Sequence, residues 1–217
     1  MTQPVRIGVL ASGGGSNLQA VMDAIAAGTV NGAIVLVLCD RPEAYARERA
    51  RAAGIATAVL RPEDFATRAA YSEALAARLQ AAEVELVIMA GFMRMVTREF
   101  VAVFPDRMIN IHPALIPSFC GPGFFGHHVH EAVLRAGVKV SGCTVHFVEE
   151  DVDAGPIIIQ RTVPVLDDDT PETLAARVLI EEHQALPDAV RLFCAGRLRI
   201  EGRRVRTLPA HANHIKA

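Results

Sequence analysis

The amino-terminal stretch Val5-Arg6-Ile7-Gly8-Val9-Leu10-Ala11-Ser12-Gly13-Gly14-Gly15-Ser16-Asn17 sets the pattern on which the fold depends. A short apolar run precedes the glycines, and apolar residues recur at helical spacing after them, which predicts a strand, a glycine loop and a helix that Ser16 caps. The free amides at the start of that helix and its dipole favour an anion, and a phosphate is the expected one. The loop matches neither the dinucleotide nor the Walker spacing, so a tight connector without a ligand is the alternative.

Strand and helix patterns alternate after this unit. Residues 33–38 form a continuous apolar run, which is typical of a strand buried on both faces of a parallel sheet. A helix is predicted at about 44–53, a strand at 57–60 and a further helix at 67–82. This order predicts an α/β fold with a doubly wound, mostly parallel sheet and helices on both faces, similar to a Rossmann fold. Residues 197–205 alternate around a Glu-Gly turn and predict a small C-terminal hairpin.

The composition suits one globular domain. Of the 217 residues, 51% are hydrophobic and 21% are charged, and the formal net charge is -2. We expect a single catalytic domain over residues 1–208 and a flexible tail over 209–217. Neither nucleic acid nor a membrane is an expected partner, because no strong basic excess and no spanning apolar stretch occur. The four cysteines form no C-x-x-C pair and are interpreted as reduced thiols of a cytoplasmic protein.

A second stretch, Met108-Ile109-Asn110-Ile111-His112-Pro113, carries two polar side chains within an apolar strand. Residues two apart share a face of a strand, so Asn110 and His112 are expected to point the same way. Because Pro113 ends the strand, both lie at its carboxyl end, where open α/β sheets form their ligand crevices. A buried structural pair is the alternative interpretation.

The acidic loop at residues 149–156 supplies a possible third group. Asp153 alone among its carboxylates is followed by Ala-Gly-Pro, a rigid turn that is expected to direct its side chain inward. An amide, an imidazole and a carboxylate suit acyl transfer, in which an oxyanion forms and a proton moves. Asn110 would donate to the oxyanion, His112 would carry the proton or stabilise charge, and Asp153 would orient His112.

The histidine-rich segment 127–130, together with Cys120, raises the question of zinc. A third ligand at a recognised spacing is absent, so no metal is expected. Instead, His127 or His128 is expected to begin a helix that ends near Gly137.

Two later residues have structural interpretations. His146 lies in an alternating strand and is interpreted as a satisfied core histidine that could help to position the acidic loop. Glu182 lies in a long helix that Thr170 is expected to cap, and as a charged residue it is exposed by default.

Five segments together resemble the folate-dependent phosphoribosylglycinamide formyltransferase family. They are SGGGSNLQ (12–19), AGFMR (90–94), NIHP (110–113), SGCTVH (141–146) and DAGPI (153–157). The resemblance covers nearly the whole chain. It implies transfer of a formyl group from the co-substrate 10-formyltetrahydrofolate to the amine of glycinamide ribonucleotide, in purine (IMP) biosynthesis, by a monomer or a homodimer.

The resemblance also implies roles for individual residues. The implied catalytic residues are Asn110, His112 and Asp153. The implied ribonucleotide-binding residues are Gly14, Gly15, Ser16, Asn17 and Glu182. The implied folate-binding residues are Arg68, Met93, Arg94, Met95, Val96, Asn110, Val148 and Asp151, with Arg68 near the glutamate tail of the folate. The segment 118–130 departs from the family's pattern, being longer and richer in histidine.

Two other functions fit parts of the pattern. Formyltetrahydrofolate hydrolase resembles the same catalytic domain but passes the formyl group to water, and it would carry a preceding regulatory domain. A non-catalytic nucleotide- or folate-binding module would account for the glycine loop but not for Asn110, His112 and Asp153.

Overall fold

The computed structural model of the protein describes residues 3–209. Its strands are β1 (Val5–Ala11), β2 (Gly32–Cys39), β3 (Thr57–Val59), β4 (Leu86–Met89), β5 (Met108–His112), β6 (Val140–Phe147), β7 (Ile157–Pro164), β8 (Leu198–Glu201) and β9 (Arg204–Thr207). Its α-helices are α1 (Ser16–Ala26), α2 (Tyr45–Ala52), α3 (Arg68–Ala81), α4 (Arg98–Val103), α5 (His127–Ala136) and α6 (Pro171–Cys194), and a 3-10 turn covers Pro62–Asp64.

All of these strands join one sheet in the order β3-β2-β1-β4-β5-β6-β7-β9-β8. The first five run parallel to one another, whereas β6 is antiparallel to both β5 and β7. Strand β9 pairs parallel with β7, and β8 pairs antiparallel with β9. The predicted doubly wound, mostly parallel sheet is confirmed, and the predicted C-terminal hairpin corresponds to β8 and β9.

Helices cover both faces of the sheet. One apolar cluster joins alternate residues of β1, such as Ile7 and Val9, to α1, α2, α5 and α6. The other joins Leu10 and Met108 to α3 and α4. Because side chains alternate along β5, Asn110 and His112 share the face of Met108, which agrees with the spacing argument.

The helix ends follow the sequence except at the glycine loop. Thr67, Thr97 and Thr170 accept hydrogen bonds from backbone amides at the starts of α3, α4 and α6. The prediction that Ser16 caps α1 is wrong: Ser16 is the first helical residue, and Gly15 precedes it with φ 70° and no side-chain cap. The left-handed backbone of Gly15 starts this helix, so no side chain occupies the amides of its first turn.

The predicted tail begins at residue 209, and residues 210–217 lie outside the part that the structure describes. Within residues 3–209, no helix has both the length and the apolar content needed to cross a membrane.

Candidate active site

A cleft of about 610 Å³ lies beyond the carboxyl ends of β4 and β5. Eleven of the residues implied by the resemblance line it: Asn17, Met93, Arg94, Met95, Val96, Asn110, His112, Val148, Asp151, Asp153 and Glu182. Four do not line it: Gly14, Gly15, Ser16 and Arg68. The first three belong to the glycine loop that leads to Asn17, whereas Arg68 is exposed at the start of α3. Most of the implied residues therefore line one cleft.

Asn110, His112 and Asp153 meet in the centre of this cleft. Asn110 Nδ2 donates to Asp153 Oδ1 over 3.4 Å, and His112 Nδ1 lies 3.5 Å from Asp153 Oδ2. The backbone N–H of Gly121 also donates to Asp153 Oδ2, over 3.0 Å. The carboxylate thus joins the loop after β6 to the loop after β5.

The backbone of the turn after β6 directs Asp153 inward. Asp153 has φ 54°, and its side chain is only 10% exposed. A Cβ at Gly155 would lie 1.8 Å from the carbonyl oxygen of Phe147, so only glycine allows this close return. The N–H of Phe147 then donates to the carbonyl of Pro156 over 2.9 Å. The inward orientation predicted from Asp-Ala-Gly-Pro is confirmed.

His146 is a member of this cluster that the sequence interpretation underrated. It is buried, as predicted for a core histidine, and its Nδ1 donates to the carbonyl of Phe147 over 2.8 Å. That leaves Nε2 to accept from Asn110 Nδ2 over 3.1 Å, and Nε2 also lies 3.6 Å from Asp153 Oδ1. The pairing of β6 with β5 places His146 opposite Asn110. The pairing of these two strands is therefore the signal that identifies His146 as a member of the cluster.

The surroundings of His112 and Asp153 favour a neutral imidazole beside an ionised carboxylate. His112 Nε2 donates to the carbonyl of Phe119 over 2.8 Å, which leaves Nδ1 facing Asp153. Burial lowers the pKa of His112 by more than the charge of Asp153 raises it. Burial alone would raise the pKa of Asp153, but the hydrogen bond and charge that His146 and His112 supply when protonated, together with the N–H of Gly121, hold it below its usual value.

A buried polar pair, Asn17 and Glu182, forms the other end of the cleft. Asn17 Nδ2 donates to Glu182 Oε2 over 2.7 Å. Burial raises the pKa of Glu182, and the hydrogen bond from Asn17 opposes this. The default expectation that Glu182 is exposed is wrong, because it continues the buried stripe of Leu174 and Val178 along α6.

The glycine loop is held next to this pair by contacts with α2. A Cβ at Gly15 would lie 2.7 Å from Ala46 Cα, so the two segments approach too closely for a larger residue. Arg49 Nε donates to the carbonyl of Gly14 over 2.8 Å, and its Nη1 donates to Gln19 Oε1 over 3.2 Å. These contacts fix the loop while the amides at the start of α1 stay free of a side-chain cap.

The predicted folate-binding segment, residues 93–96, forms an apolar wall on the opposite side. Met93 and Met95 are about half exposed, at 47% and 51%. The side chain of Arg94 is held in place, since its Nε donates to Asp40 Oδ2 over 2.6 Å.

The sequence model of the formyl transferase family matches residues 5–190. The chain belongs to this family. The phosphoribosylglycinamide formyltransferase of Escherichia coli (strain K12) is 39% identical over 196 residues, which are 90% of each chain. The trifunctional purine biosynthetic protein adenosine-3 of Drosophila melanogaster is 44% identical over 193 residues, and the match spans 88% of this chain but only 14% of that protein. The resemblance inferred from the five segments is confirmed.

Solved formyl transferase structures share the fold. Glycinamide ribonucleotide transformylase 1 from Symbiobacterium toebii superposes with a TM-score of 0.92 at 49% identity, over 96% of both chains. A formyltetrahydrofolate deformylase from Pseudomonas syringae superposes with a TM-score of 0.86 at 20% identity, over 96% of this chain and 67% of that one. At that identity the second likeness concerns the fold alone.

The histidine-rich segment closes one side of this formyl transferase cleft. His127 begins α5 as predicted, and Gly137 ends it in a left-handed conformation. His130 is buried, and its pKa falls to about 4 because of burial first and the neighbouring His127 and His112 second. Among residues 3–209, no group of three or more His, Cys, Asp or Glu side chains is arranged to hold a metal ion.

Proposed function

We propose that the protein is a phosphoribosylglycinamide formyltransferase, which transfers the formyl group of 10-formyltetrahydrofolate to the amine of glycinamide ribonucleotide. One observation carries the proposal: the cluster of Asn110, His112 and Asp153 occupies the centre of a single cleft. A buried polar pair, Asn17 and Glu182, lies at one end of that cleft, and an apolar wall lies at the other.

The two ends suit the two substrates. The free amides at the start of α1 suit the phosphate of the ribonucleotide, because they are unpaired donors at the positive end of a helix. The adjacent carboxyl group of Glu182 suits a sugar hydroxyl, which can donate a hydrogen bond to it. Residues 93–96 form what we call the folate wall, and its exposed methionines suit a flat pterin ring. Val148 and Asp151 also line the cleft, and the exposed Arg68, which does not line it, suits the carboxylates of a folate tail.

The reaction needs no protein nucleophile. The amine nitrogen of the ribonucleotide attacks the formyl carbon, the new C–N bond forms, and the bond from that carbon to folate N10 breaks. One proton moves from the amine to N10, which gives the formylated ribonucleotide and tetrahydrofolate. Holding both substrates in one cleft makes this attack effectively intramolecular.

Asn110 and His112 stabilise the oxyanion that forms between attack and departure. Asn110 directs both Nδ2 hydrogens at protein acceptors, but its 3.4 Å contact with Asp153 is long for a hydrogen bond. That hydrogen is the one an approaching oxyanion would draw away. His112 is neutral before the reaction, and developing negative charge beside it raises its affinity for a proton.

Asp153 completes the proton path. Its carboxylate stays ionised because its pKa is held below the usual value, so it stabilises a positive charge on His112 while the proton passes from amine to N10. The backbone N–H of Gly121 holds the carboxylate in place.

Incubation of the protein with 10-formyltetrahydrofolate, with and without glycinamide ribonucleotide, tests the proposal. Mass spectrometry should detect formylglycinamide ribonucleotide, with tetrahydrofolate released in equal amount. Release of formate that ignores the ribonucleotide would identify a hydrolase instead, and binding of both compounds without turnover would identify a binding module. Light scattering of the same sample decides between the predicted monomer and homodimer.

A further inference from the structure

A buried carboxylate lies behind the folate wall. Asp40 directly follows β2, and its side chain has no exposed surface, whereas that of its partner Arg94 is 41% exposed. Arg94 Nε donates to Asp40 Oδ2 over 2.6 Å, and Arg41 Nε lies 3.6 Å from Oδ1. Burying a carboxylate is costly unless a cation pairs with it, and such a pair is weak evidence for a role in stability alone. We therefore consider a role for Asp40 other than stability.

The segment that contains Arg94 has little structure of its own. Residues 90–97 connect β4 to α4 without forming helix or strand. Two tethers hold the segment on the side of the sheet. At the end of β1, Ser12 Oγ accepts from the N–H of Met93 over 2.8 Å, and the N–H of Ser12 donates to the carbonyl of Gly91 over 3.1 Å. At the end of β2, Asp40 holds Arg94.

The second tether is the one that bears on the folate wall. Arg94 lies between Met93 and Met95, whose side chains are about half exposed and line the cleft. Beyond the wall, the next anchor is at Thr97, whose N–H donates to Ser72 Oγ over 3.2 Å. The anchors at Met93 and Thr97 lie on either side of residues 94–96. Among the described contacts, the ion pair of Arg94 with Asp40 is the side-chain tether that residues 94–96 have between these anchors.

We infer that Asp40 is a positioning residue for binding of the formyl donor. It acts through Arg94, fixes the backbone of the folate wall and does not touch the reacting atoms. This inference rests on the proposed function, because it takes the wall to be the folate side of the cleft. Asp40 makes no contact with Asn17 or Glu182 among those described, so the ribonucleotide end should not sense its loss.

The test is the variant Asp40→Asn, which keeps the size of the side chain and removes its charge. We expect KM for 10-formyltetrahydrofolate to rise about tenfold, a size typical of coupling between contacting groups. KM for glycinamide ribonucleotide and kcat should stay unchanged. Calorimetric titration with tetrahydrofolate should show the same loss of affinity without any chemical step.

Asp169→Asn is the matched control. Asp169 is also a buried carboxylate, with a side chain 2% exposed and Oδ2 2.7 Å from Arg177 Nη1, but neither residue lines the cleft. Both variants should lower the melting temperature, and only Asp40→Asn should change the folate constants. Equal folate constants in both variants and the parent would mean that Asp40 has a structural role alone, and the inference would be overturned.

Arg94→Lys covers the case in which Asp40→Asn does not fold. Lysine keeps the positive charge but lacks Nε–H, so the tether is weakened and KM for the folate should rise with KM for the ribonucleotide unchanged.

The double variant Asp40→Asn with Arg94→Lys tests the route. If Asp40 acts through Arg94, the double variant should bind folate no worse than Asp40→Asn. Additive losses in the double variant would overturn this route.

The two proposals can fail separately. A parent protein that binds tetrahydrofolate but never formylates the ribonucleotide would refute the proposed function, and the calorimetric comparison would still decide the role of Asp40. A parent protein that formylates the ribonucleotide, with folate constants that Asp40→Asn leaves unchanged, would refute the role of Asp40 alone.

Discussion

Asn17 and Glu182 are 165 residues apart in sequence, and a 2.7 Å hydrogen bond from Asn17 Nδ2 to Glu182 Oε2 joins them inside the protein. The bond connects the first turn of α1 to the middle of α6, and it forms one end of the cleft. Both side chains are buried, so each depends on the other for a partner.

Replacing Glu182 by alanine should therefore affect both stability and binding. The Asn17 amide loses its acceptor, and an unpaired buried polar group costs about 1–3 kcal/mol of unfolding free energy. We expect urea unfolding to show this loss, and KM for the ribonucleotide to rise more than KM for the folate. Glu181→Ala is the control, because Glu181 contacts Arg161 at 3.5 Å and does not line the cleft. A larger rise for the folate would show that the ends of the cleft are assigned the wrong way round.

Asp153→Asn should lower turnover more than affinity. The side chain keeps its shape but loses the charge that stabilises protonated His112, and loss of a proton-transfer partner costs on the order of 100-fold in kcat. Steady-state kinetics should show this fall in kcat with KM values close to those of the parent. Asp167→Asn, a change at a carboxylate 93% exposed and paired with Lys139, should have no effect. Equal kcat in Asp153→Asn and the parent would reject the role of Asp153.

Gly15→Ala should damage the ribonucleotide end. Alanine at φ 70° costs about 1–2 kcal/mol, and its Cβ would meet Ala46 Cα at 2.7 Å, so the loop and the amides that follow it must move. We expect a lower melting temperature and a higher KM for the ribonucleotide, with KM for the folate retained. Gly13→Ala is the matched control, because a Cβ at Gly13 meets nothing within 4 Å. If KM for the ribonucleotide equals that of the parent in both variants, the loop does not belong to the ribonucleotide-binding site.

His130 should make stability depend on pH. Its pKa is lowered from 6.5 to about 4 in the folded protein, so between these values the unfolded chain binds a proton that the folded chain does not. The free energy of unfolding should therefore be full above pH 6.5 and fall by roughly 3 kcal/mol as pH drops to about 4. The lowered pKa of His112 acts in the same direction.

Urea unfolding of His130→Gln between pH 7 and pH 4 measures this contribution. Glutamine cannot take up the proton, so the variant should lose less stability across the window than the parent. His128→Gln, a change at the exposed neighbour, should follow the parent curve. Identical slopes for His130→Gln and the parent would contradict the prediction.

Local patterns predicted the elements and the shared face of Asn110 and His112, because apolar periodicity and strand alternation are properties of neighbouring residues. The same reasoning explains the correct expectations for Thr170 and Gly137, since helix ends are set by local hydrogen bonding. The inward turn at Asp153 was likewise predictable, because Ala-Gly-Pro restricts its backbone.

Two of the three errors concern relationships between distant segments. The prediction that Glu182 is exposed follows the default for charged residues, whereas its partner Asn17 lies in another helix that no local pattern connects to it. The role of His146 depends on the antiparallel pairing of β6 with β5, which no local pattern reveals. The third error is local, because the residue type of Ser16 favours the cap position but the left-handed Gly15 next to it takes that position.

The pairing of β5 with β6 limits how the gene for such a protein can change in length. Asn110 lies opposite His146, and His112 lies opposite Thr144. Deletion of one residue within β6 would turn His146 to the other face of the sheet and place an apolar neighbour beside Asn110. An insertion in the segment between the two strands would leave the paired faces intact, but it would have to preserve the contacts of Phe119 with His112 and of Gly121 with Asp153.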